Sequence, residues 1–425
     1  MATVQKLALL YFGVIAALAA PSDRNNKNNN AKVSSIKRIS LGPRPYWLVD
    51  QMDEGPLKQK LAACSDKEPR RSDWSIGHRG GGTLQFPEHT NESVIAGSRM
   101  GAGIQECDVT FTKDKQLVCR HAQCDLHTTT NVVAIPELNA KCTVPFRPAT
   151  SSSNGTVIIA TAKCCTSDFS LDEIKQLCAK MDAFNPRATT PEEYLEGTAL
   201  WRTDLYAKAC SRVPTLKEHI ALVDGLGLKF TPELKTPDVP MPYQGNYTQA
   251  HFAQQMIDEF KAAGIKPERV WAQSFLYDDV LYWLEAEPKF GKQAVLLDES
   301  GDEPGTFPTA VASLKKYAAA GVKIVAPPLP YLVTVDNRGK IVPSAYAIEA
   351  KRLRLKIITW SLERSGWLGD GTAGGYYFAS IANVTNGEGD VYNLLHVLAQ
   401  DVGVIGVFSD WSATVTYYAN CFGLK

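Results

Sequence analysis

From about Tyr46 onward the chain alternates two kinds of segment. Short runs rich in β-branched and apolar residues predict strands: WSIGH (74–78), GIQECDV (103–109), QLVCRH (116–121), LKFTPEL (228–234), RVWAQSF (269–275), QAVLLDE (293–299), VKIVAPP (322–328), LKIITWSLE (355–363) and VGVIGVFSD (402–410). Between them lie stretches such as TQAHFAQQMIDEFKAAG (248–264) and PTAVASLKKYAAAG (308–321), whose apolar residues recur at helical spacing. Strand then helix, repeated over this length, predicts an α/β fold with a parallel sheet, closed as a barrel or open and doubly wound. Almost every predicted strand ends in a side chain capable of chemistry: His78, Asp108, His121, Glu233, Gln273, Asp298, Glu363 and Asp410. That placement favours a (β/α)8 TIM-type barrel, whose sites stand at the C-terminal rim of the strands. Nine candidates exceed eight positions by one. QLVCRH follows TFTKDK so closely that it is expected to turn back as a hairpin.

The ends and one long interruption break this rhythm. Residues 1–20, MATVQKLALLYFGVIAALAA, place a lysine before an apolar run and a small-residue Ala17-Leu18-Ala19 site, the pattern of a secretory signal peptide. A membrane anchor is the alternative, but the run is shorter than the ~20 residues that span a bilayer. Residues 21–45, asparagine-rich and without periodicity, read as a disordered leader, which leaves 46–425 for the barrel domain. Between His121 and LKFTPEL a segment rich in Thr, Ser, Asn, Pro and Cys reads as a Cys-rich, disulfide-braced insertion, about 125–225, across one face of the barrel.

Composition narrows the setting. Ten cysteines, an even number concentrated in the first half of the chain, fit disulfides in an exported protein. Adjacent Cys164 and Cys165 are expected to take different partners, and no paired C-x-x-C ligands point to zinc. N-x-S/T sequons at Asn91, Asn154, Asn246 and Asn383 suit the same compartment. The expected location is therefore secreted or extracellular, with cell-wall or cell-surface association included. With 45 basic and 45 acidic side chains and no basic stripe, nucleic acid is not an expected partner. No later stretch is long enough for a stable membrane span.

The strand ends carry the candidate chemistry. Glu106 and Asp108 are two residues apart on one strand and share a face, where a hard divalent cation bound by oxygen would compensate their charge; a solvated acid pair is the plain alternative. Glu233 and Lys235 share a face in the same way, as a facing salt bridge or as a third metal ligand beside a phosphate-holding lysine. His78 and His121 are either hydrogen-bonded structural residues or the two proton carriers a phosphodiester needs, one for the nucleophile and one for the departing alkoxide. Gly80, Gly81 and Gly82 would let the backbone pass close to an anion beside Arg79 and turn away. Trp360 either lines a substrate pocket or packs in the core. Gln273, Asp298 and Asp410 are expected as partners of the site residues or as strand-end caps. Glu88 and Thr90 are expected to fix the turn that holds His89. His127, His219, His251 and His396 lack a strand-end setting and are left out of the site.

Taken in order, His78-Arg79-Gly80, Pro87-Glu88-His89-Thr90, Glu106-x-Asp108, Thr112-Lys113-Asp114, His121 and Glu233-x-Lys235 resemble the glycerophosphodiester phosphodiesterase family, over roughly Trp74 to Trp411. The exported, cysteine-rich form is similar to a secreted eukaryotic, fungal-like member. The resemblance implies a barrel of the triosephosphate isomerase type, a bound Ca2+ or Mg2+ ion, and hydrolysis of a small-molecule glycerophosphodiester to sn-glycerol 3-phosphate and an alcohol. It also implies that Glu106, Asp108 and Glu233 hold the metal, His78 and His121 act as acid and base, and Arg79 and Lys235 bind phosphate. Two departures stand out: Ala122 follows His121 where the family usually has aspartate, and Lys115 follows Asp114 where glycine is usual. Asp125 is the nearby candidate to replace the missing carboxylate. Two other readings stay open, a phospholipase D-like relative acting on sphingomyelin or lysophospholipid, and a non-catalytic cell-surface or wall protein that binds on the same barrel.

Overall fold

The computed structural model describes residues 36–151, 156–207, 209–372 and 374–425. The signal-peptide reading, most of the leader and the Asn154 sequon lie outside them. Nine strands of the main sheet coincide with the nine predicted runs: β1 (Ser72–Gly77), β2 (Ala102–Phe111), β3 (Leu117–Cys119), β4 (Lys229–Leu234), β5 (Gln273–Ser274), β6 (Val295–Leu297), β7 (Ile324–Ala326), β8 (Lys356–Leu362) and β9 (Gly406–Ser409). All but β3 pair in parallel in chain order, and β9 returns to β1 through Ile76↔Phe408 and its neighbours, which closes an eight-stranded barrel. β3 folds back antiparallel on β2, as its short link to TFTKDK predicts, and the Cys107–Cys119 disulfide crosses that pair.

Strand alternation sorts the side chains into two layers. Ile76, Ile104, Val295, Leu297, Ile324, Ala326, Ile358 and Phe408 fill the barrel interior. Their alternates along the strands, such as Val109, Phe230, Leu296, Val325, Ile357 and Val407, face outward into the larger core beneath the helices. The helix Gln249–Ala262 covers this layer with Phe252, Ala253, Met256, Ile257 and Phe260, the helical spacing read from the sequence. Its start is fixed by Thr248, whose side chain accepts from the His251 N–H.

Two expected boundaries shift. Order begins upstream of Tyr46: a helix runs Arg44–Asp50, Leu41 is buried, Ile36 and Ile39 pack on the core, and the Ser40 N–H donates to Arg99 O at 2.8 Å. A few apolar residues in an otherwise polar leader are enough to dock its last ten positions. The insertion is also shorter than 125–225, because the helix Leu216–Gly225 belongs to the barrel, burying Leu216, Ile220 and Val223 in the main core. The remainder has a core of its own, built on residues such as Leu126, Val132, Phe169, Leu177 and Tyr194. Three disulfides brace it, Cys124–Cys165, Cys142–Cys164 and Cys178–Cys210, so the adjacent cysteines do take different partners. A fifth, Cys64–Cys421, ties the segment before β1 to the last helix, Ser412–Phe422. Asn91, Asn246 and Asn383 are exposed, and among the described residues no helix is long and apolar enough to cross a membrane.

His219, left out of the site, lies buried in the helix Leu216–Gly225, and burial lowers its imidazole to about 3, with His89 adding to the effect. Its folded-state pKa is below the unfolded value, so the unfolded chain takes the proton first and stability falls as the pH drops from about 6.5 towards 3. By pH 5 the loss from this group is about 2 kcal/mol. Thermal melts of wild type and His219→Gln at pH 7 and pH 5 should show a smaller acid-induced drop in the variant; equal drops would contradict this assignment.

Candidate active site

The C-terminal ends of the strands surround a cavity of about 540 Å³, lined at its base by His78, Arg79, Glu106, Asp108, His121, Glu233 and Lys235. Every charged residue singled out for the site therefore reaches one space. Trp360 reaches it too, with its indole N–H donating to Ala326 O at 2.8 Å and its ring edge-on to Phe275 and Tyr377.

β1 delivers His78 and Arg79. Arg79 takes a left-handed conformation, φ 51°, which turns its N–H onto Glu106 Oε2 at 2.7 Å and its guanidinium onto Glu88 Oε2 at 2.6 Å. The glycines that follow do a different task from the one expected. None of them lines the cavity; a Cβ at Gly81, φ 78°, would come within 2.1 Å of Ser412 Oγ, so the turn is pressed against the last helix rather than against an anion. Thr90 caps the helix Asn91–Arg99, accepting from the Ser93 N–H, which fixes the turn as expected. Glu88 in that turn serves as an anion for three guanidiniums, those of Arg79, Arg202 and Arg364.

His78 Nδ1 lies 2.5 Å from Asp410 Oδ1, and its Nε2 lies 3.2 Å from Ser361 Oγ and 3.9 Å from Glu106 Oε2. Asp410 stays ionised: burial pushes its carboxyl up, but Arg364, His78 and Arg202 outweigh that and hold it well below the usual range. A carboxylate on one ring nitrogen fixes the tautomer, with the proton on Nδ1 and Nε2 free to accept. Burial lowers the His78 imidazole to about 4 against the pull of Asp410, so at neutral pH it is an unprotonated base.

The three carboxylates offer oxygens within 4.8 Å of one another. Glu106 accepts from Gln273 Nε2 at 3.0 Å, Asp108 from His89 Nε2 at 2.9 Å, and Glu233 stands 2.6 Å from Lys235 Nζ. Burial pushes Glu106 well above the usual carboxylate range, with Asp108 and Glu233 adding repulsion, and pushes Glu233 up to about 8 against Lys235. Asp108 goes the other way, because His89 and the surrounding cations outweigh its burial. Asp108 Oδ1 is buried without a hydrogen-bond partner. Three clustered carboxylates that resist joint ionisation, one with an orphaned oxygen, fit an oxygen-ligated divalent cation.

His121 makes no hydrogen bond to the described residues. Its imidazole is held well below the ordinary value by burial first, then by Arg79 and Lys235. Asp125 does not replace the missing aspartate at the ring: its carboxylate accepts from the Ala122 N–H at 3.2 Å and does not line the cavity. At the other departure, Lys115 takes φ 60° and keeps the left-handed turn without a glycine. Asp298 is a strand-end acceptor for Tyr346 and Ser300, away from the cavity. His127, His251 and His396 also lie away from it, bonded to Cys164 N, Asn246 O and Tyr418 OH.

Sequence reasoning missed Arg202 and Arg364 altogether. Arg364 could have been found, one residue beyond Glu363 at the end of β8. Arg202 sits in the insertion, where no periodicity marks it.

Comparison with known proteins gives the class, a phosphoric diester hydrolase. The model of the glycerophosphoryl diester phosphodiesterase family matches residues 78–364, and the chain belongs to that family. A protein of Arthroderma benhamiae named "Extracellular protein" is 49% identical over 245 residues, spanning 57% of this chain and the whole of that protein. Among solved structures, a Silicibacter pomeroyi DSS-3 protein assigned provisionally as a glycerophosphoryl diester phosphodiesterase is similar with a TM-score of 0.51 at 17% identity, covering 86% of this chain and 98% of that one. That likeness is one of fold.

Proposed function

We propose that the chain is an exported enzyme that hydrolyses glycerophosphodiesters to sn-glycerol 3-phosphate and an alcohol with the help of a divalent cation, Ca2+ or Mg2+. The observation that carries this reading is the convergence of three buried carboxylates, two imidazoles, an arginine and a lysine on one cavity at the barrel rim. Glu106, Asp108 and Glu233 hold the cation, which when bound offsets negative charge on the phosphoryl oxygens and the leaving oxygen. Arg79 and Lys235 hold the phosphate, and both become more effective as charge gathers during the displacement. Trp360 lines the side of the pocket that takes the glycerol or the alcohol.

His78 and His121 move the protons. Both rings are unprotonated in the empty cavity, His121 because burial, Arg79 and Lys235 disfavour its cation. A diester anion seated among those cations removes much of that repulsion and raises both rings towards neutrality. One imidazole takes the proton of the attacking hydroxyl; the other delivers a proton to the departing alkoxide. Asp410 stabilises the imidazolium when it forms on His78.

Export is supported by the name of the Arthroderma benhamiae relative and by five disulfides. The decisive assay gives the purified protein glycerophosphocholine, glycerophosphoethanolamine and glycerophosphoglycerol with Ca2+ or Mg2+, and follows glycerol 3-phosphate. Turnover that chelation abolishes and metal restores is expected. Turnover of sphingomyelin or lysophospholipid in preference to these diesters would favour the phospholipase D-like reading, and turnover of neither class would refute the hydrolase reading.

A further inference from the structure

Among the described residues of the insertion, Arg202 is the cation that pairs with carboxylates of the site neighbourhood, and it does so without lining the cavity. Its Nη2 lies 2.8 Å from Asp410 Oδ2 and its Nη1 lies 3.1 Å from Glu88 Oε1, with all three side chains buried. Those two carboxylates spend their remaining oxygens on the groups that face the cavity: Asp410 Oδ1 on His78 and Glu88 Oε2 on Arg79. Arg364 Nη1 bridges the same pair at 3.0 Å each. Arg364 lines the cavity and Arg202 does not, so Arg202 alone is committed wholly to the carboxylates.

The segment that carries Arg202 is fastened on several sides. The Thr203 N–H donates to Leu84 O at 3.1 Å, and Tyr206 stacks on Phe86 with ring centroids 4.7 Å apart, both on the loop that follows β1. Trp201 packs over Gly366, where a Cβ would meet its ring at 3.1 Å, on the loop that follows β8. The Cys178–Cys210 disulfide closes the segment into the insertion. A carboxylate held at one oxygen can still swing about its own torsion; here the second oxygen of each is held by Arg202 together with a single Arg364 nitrogen split between the two, so Arg202 supplies the hydrogen bond to each that is not shared.

We propose that Arg202 is a positioning residue: through Asp410 and Glu88 the insertion sets the orientation of the His78 ring and of the Arg79 guanidinium. This rests on the hydrolase reading above. An ion pair that served the fold alone would leave turnover unchanged once the protein had folded. A positioning role places its effect on the chemical step, because His78 is engaged there and the substrate does not touch Arg202.

The test is steady-state kinetics on glycerophosphocholine at saturating metal for wild type, Arg202→Ala, Arg202→Lys, Tyr206→Ala and Leu205→Ala, with a thermal melt of each. Arg202→Ala should lose ~10- to 100-fold in kcat with KM within about twofold of wild type. Added guanidinium should recover part of that loss, which it would not do for a merely structural defect. Arg202→Lys should fall between the two, because a point charge cannot reproduce the fork that reaches both carboxylates. Tyr206→Ala, which loosens the segment without touching a charge, should show a smaller loss in kcat, and exposed Leu205→Ala none. Unchanged kcat in Arg202→Ala, a rise in KM alone, or a loss that guanidinium does not relieve would overturn the proposal. If Arg202→Ala does not fold, unchanged kcat in both Arg202→Lys and Tyr206→Ala overturns it. A wild-type protein that turns over no diester instead removes the hydrolase reading on which it rests.

Discussion

His78→Ala is expected to lower kcat on a glycerophosphodiester by ~100- to 10,000-fold while leaving the thermal midpoint and metal binding close to wild type. The ring lines the cavity with Asp410 bonded at its Nδ1. Asp410→Asn is expected to follow it closely. An amide there offers N–H to the same ring nitrogen or leaves it unpaired, and the tautomer that presents Nε2 to substrate loses its support. It also removes a carboxylate from between Arg202 and Arg364. Loss of turnover in His78→Ala together with near wild-type turnover in Asp410→Asn would separate the ring from its partner and contradict the dyad. Rapid-quench measurement of glycerol 3-phosphate formation gives the chemical step directly.

The second large effect concerns the carboxylate cluster. Wild type should gain about 2.7 kcal/mol of stability when Ca2+ or Mg2+ is added at 100 times its dissociation constant, and Glu106→Gln should gain almost nothing. Metal-free, the variant should be as stable as wild type, because the cluster without a cation already pushes Glu106 well above the usual carboxylate range. Gln273 can turn its amide to meet the new one, since its Oε1 is buried without a partner. Calorimetric titration with each metal and melts with and without it read the outcome without reference to turnover. A variant that binds metal like wild type would remove Glu106 from the ligand set.

Much of this was legible in the sequence, for a common physical reason. A barrel strand obeys a period of two and ends at the rim, so β-branched runs that finish in His78, Asp108 or Glu233 state both the element and the place of the side chain, while His121 follows from the antiparallel hairpin of β3 on β2. Glu106 and Asp108 had only to be two residues apart for their shared face to follow. Other features depend on contacts that no local pattern records. Asp410 was visible as a strand end, but its partner lies 332 residues away, across the seam where β9 meets β1. Gln273 reaches Glu106 across 167 residues. The glycines after Arg79 were visible as a turn, while the cause of their smallness, Ser412 of the last helix, was not. Arg202 was the least legible, in an irregular segment whose path is set by disulfides and by stacking on Phe86. Helical or strand spacing places a residue relative to its own element; it is silent on how a loop returns.

The Cys64–Cys421 bridge joins positions 357 residues apart, one before the barrel's first strand and the other in its last helix. The covalent path from Cys64 through the barrel and back is therefore a ring. A single peptide cleavage anywhere between them, in the insertion or in a rim loop, opens the ring without dividing the molecule. Such a cut leaves His78 from one side of the barrel and Asp410 from the other still on one covalent body, and separating them takes reduction as well as cleavage.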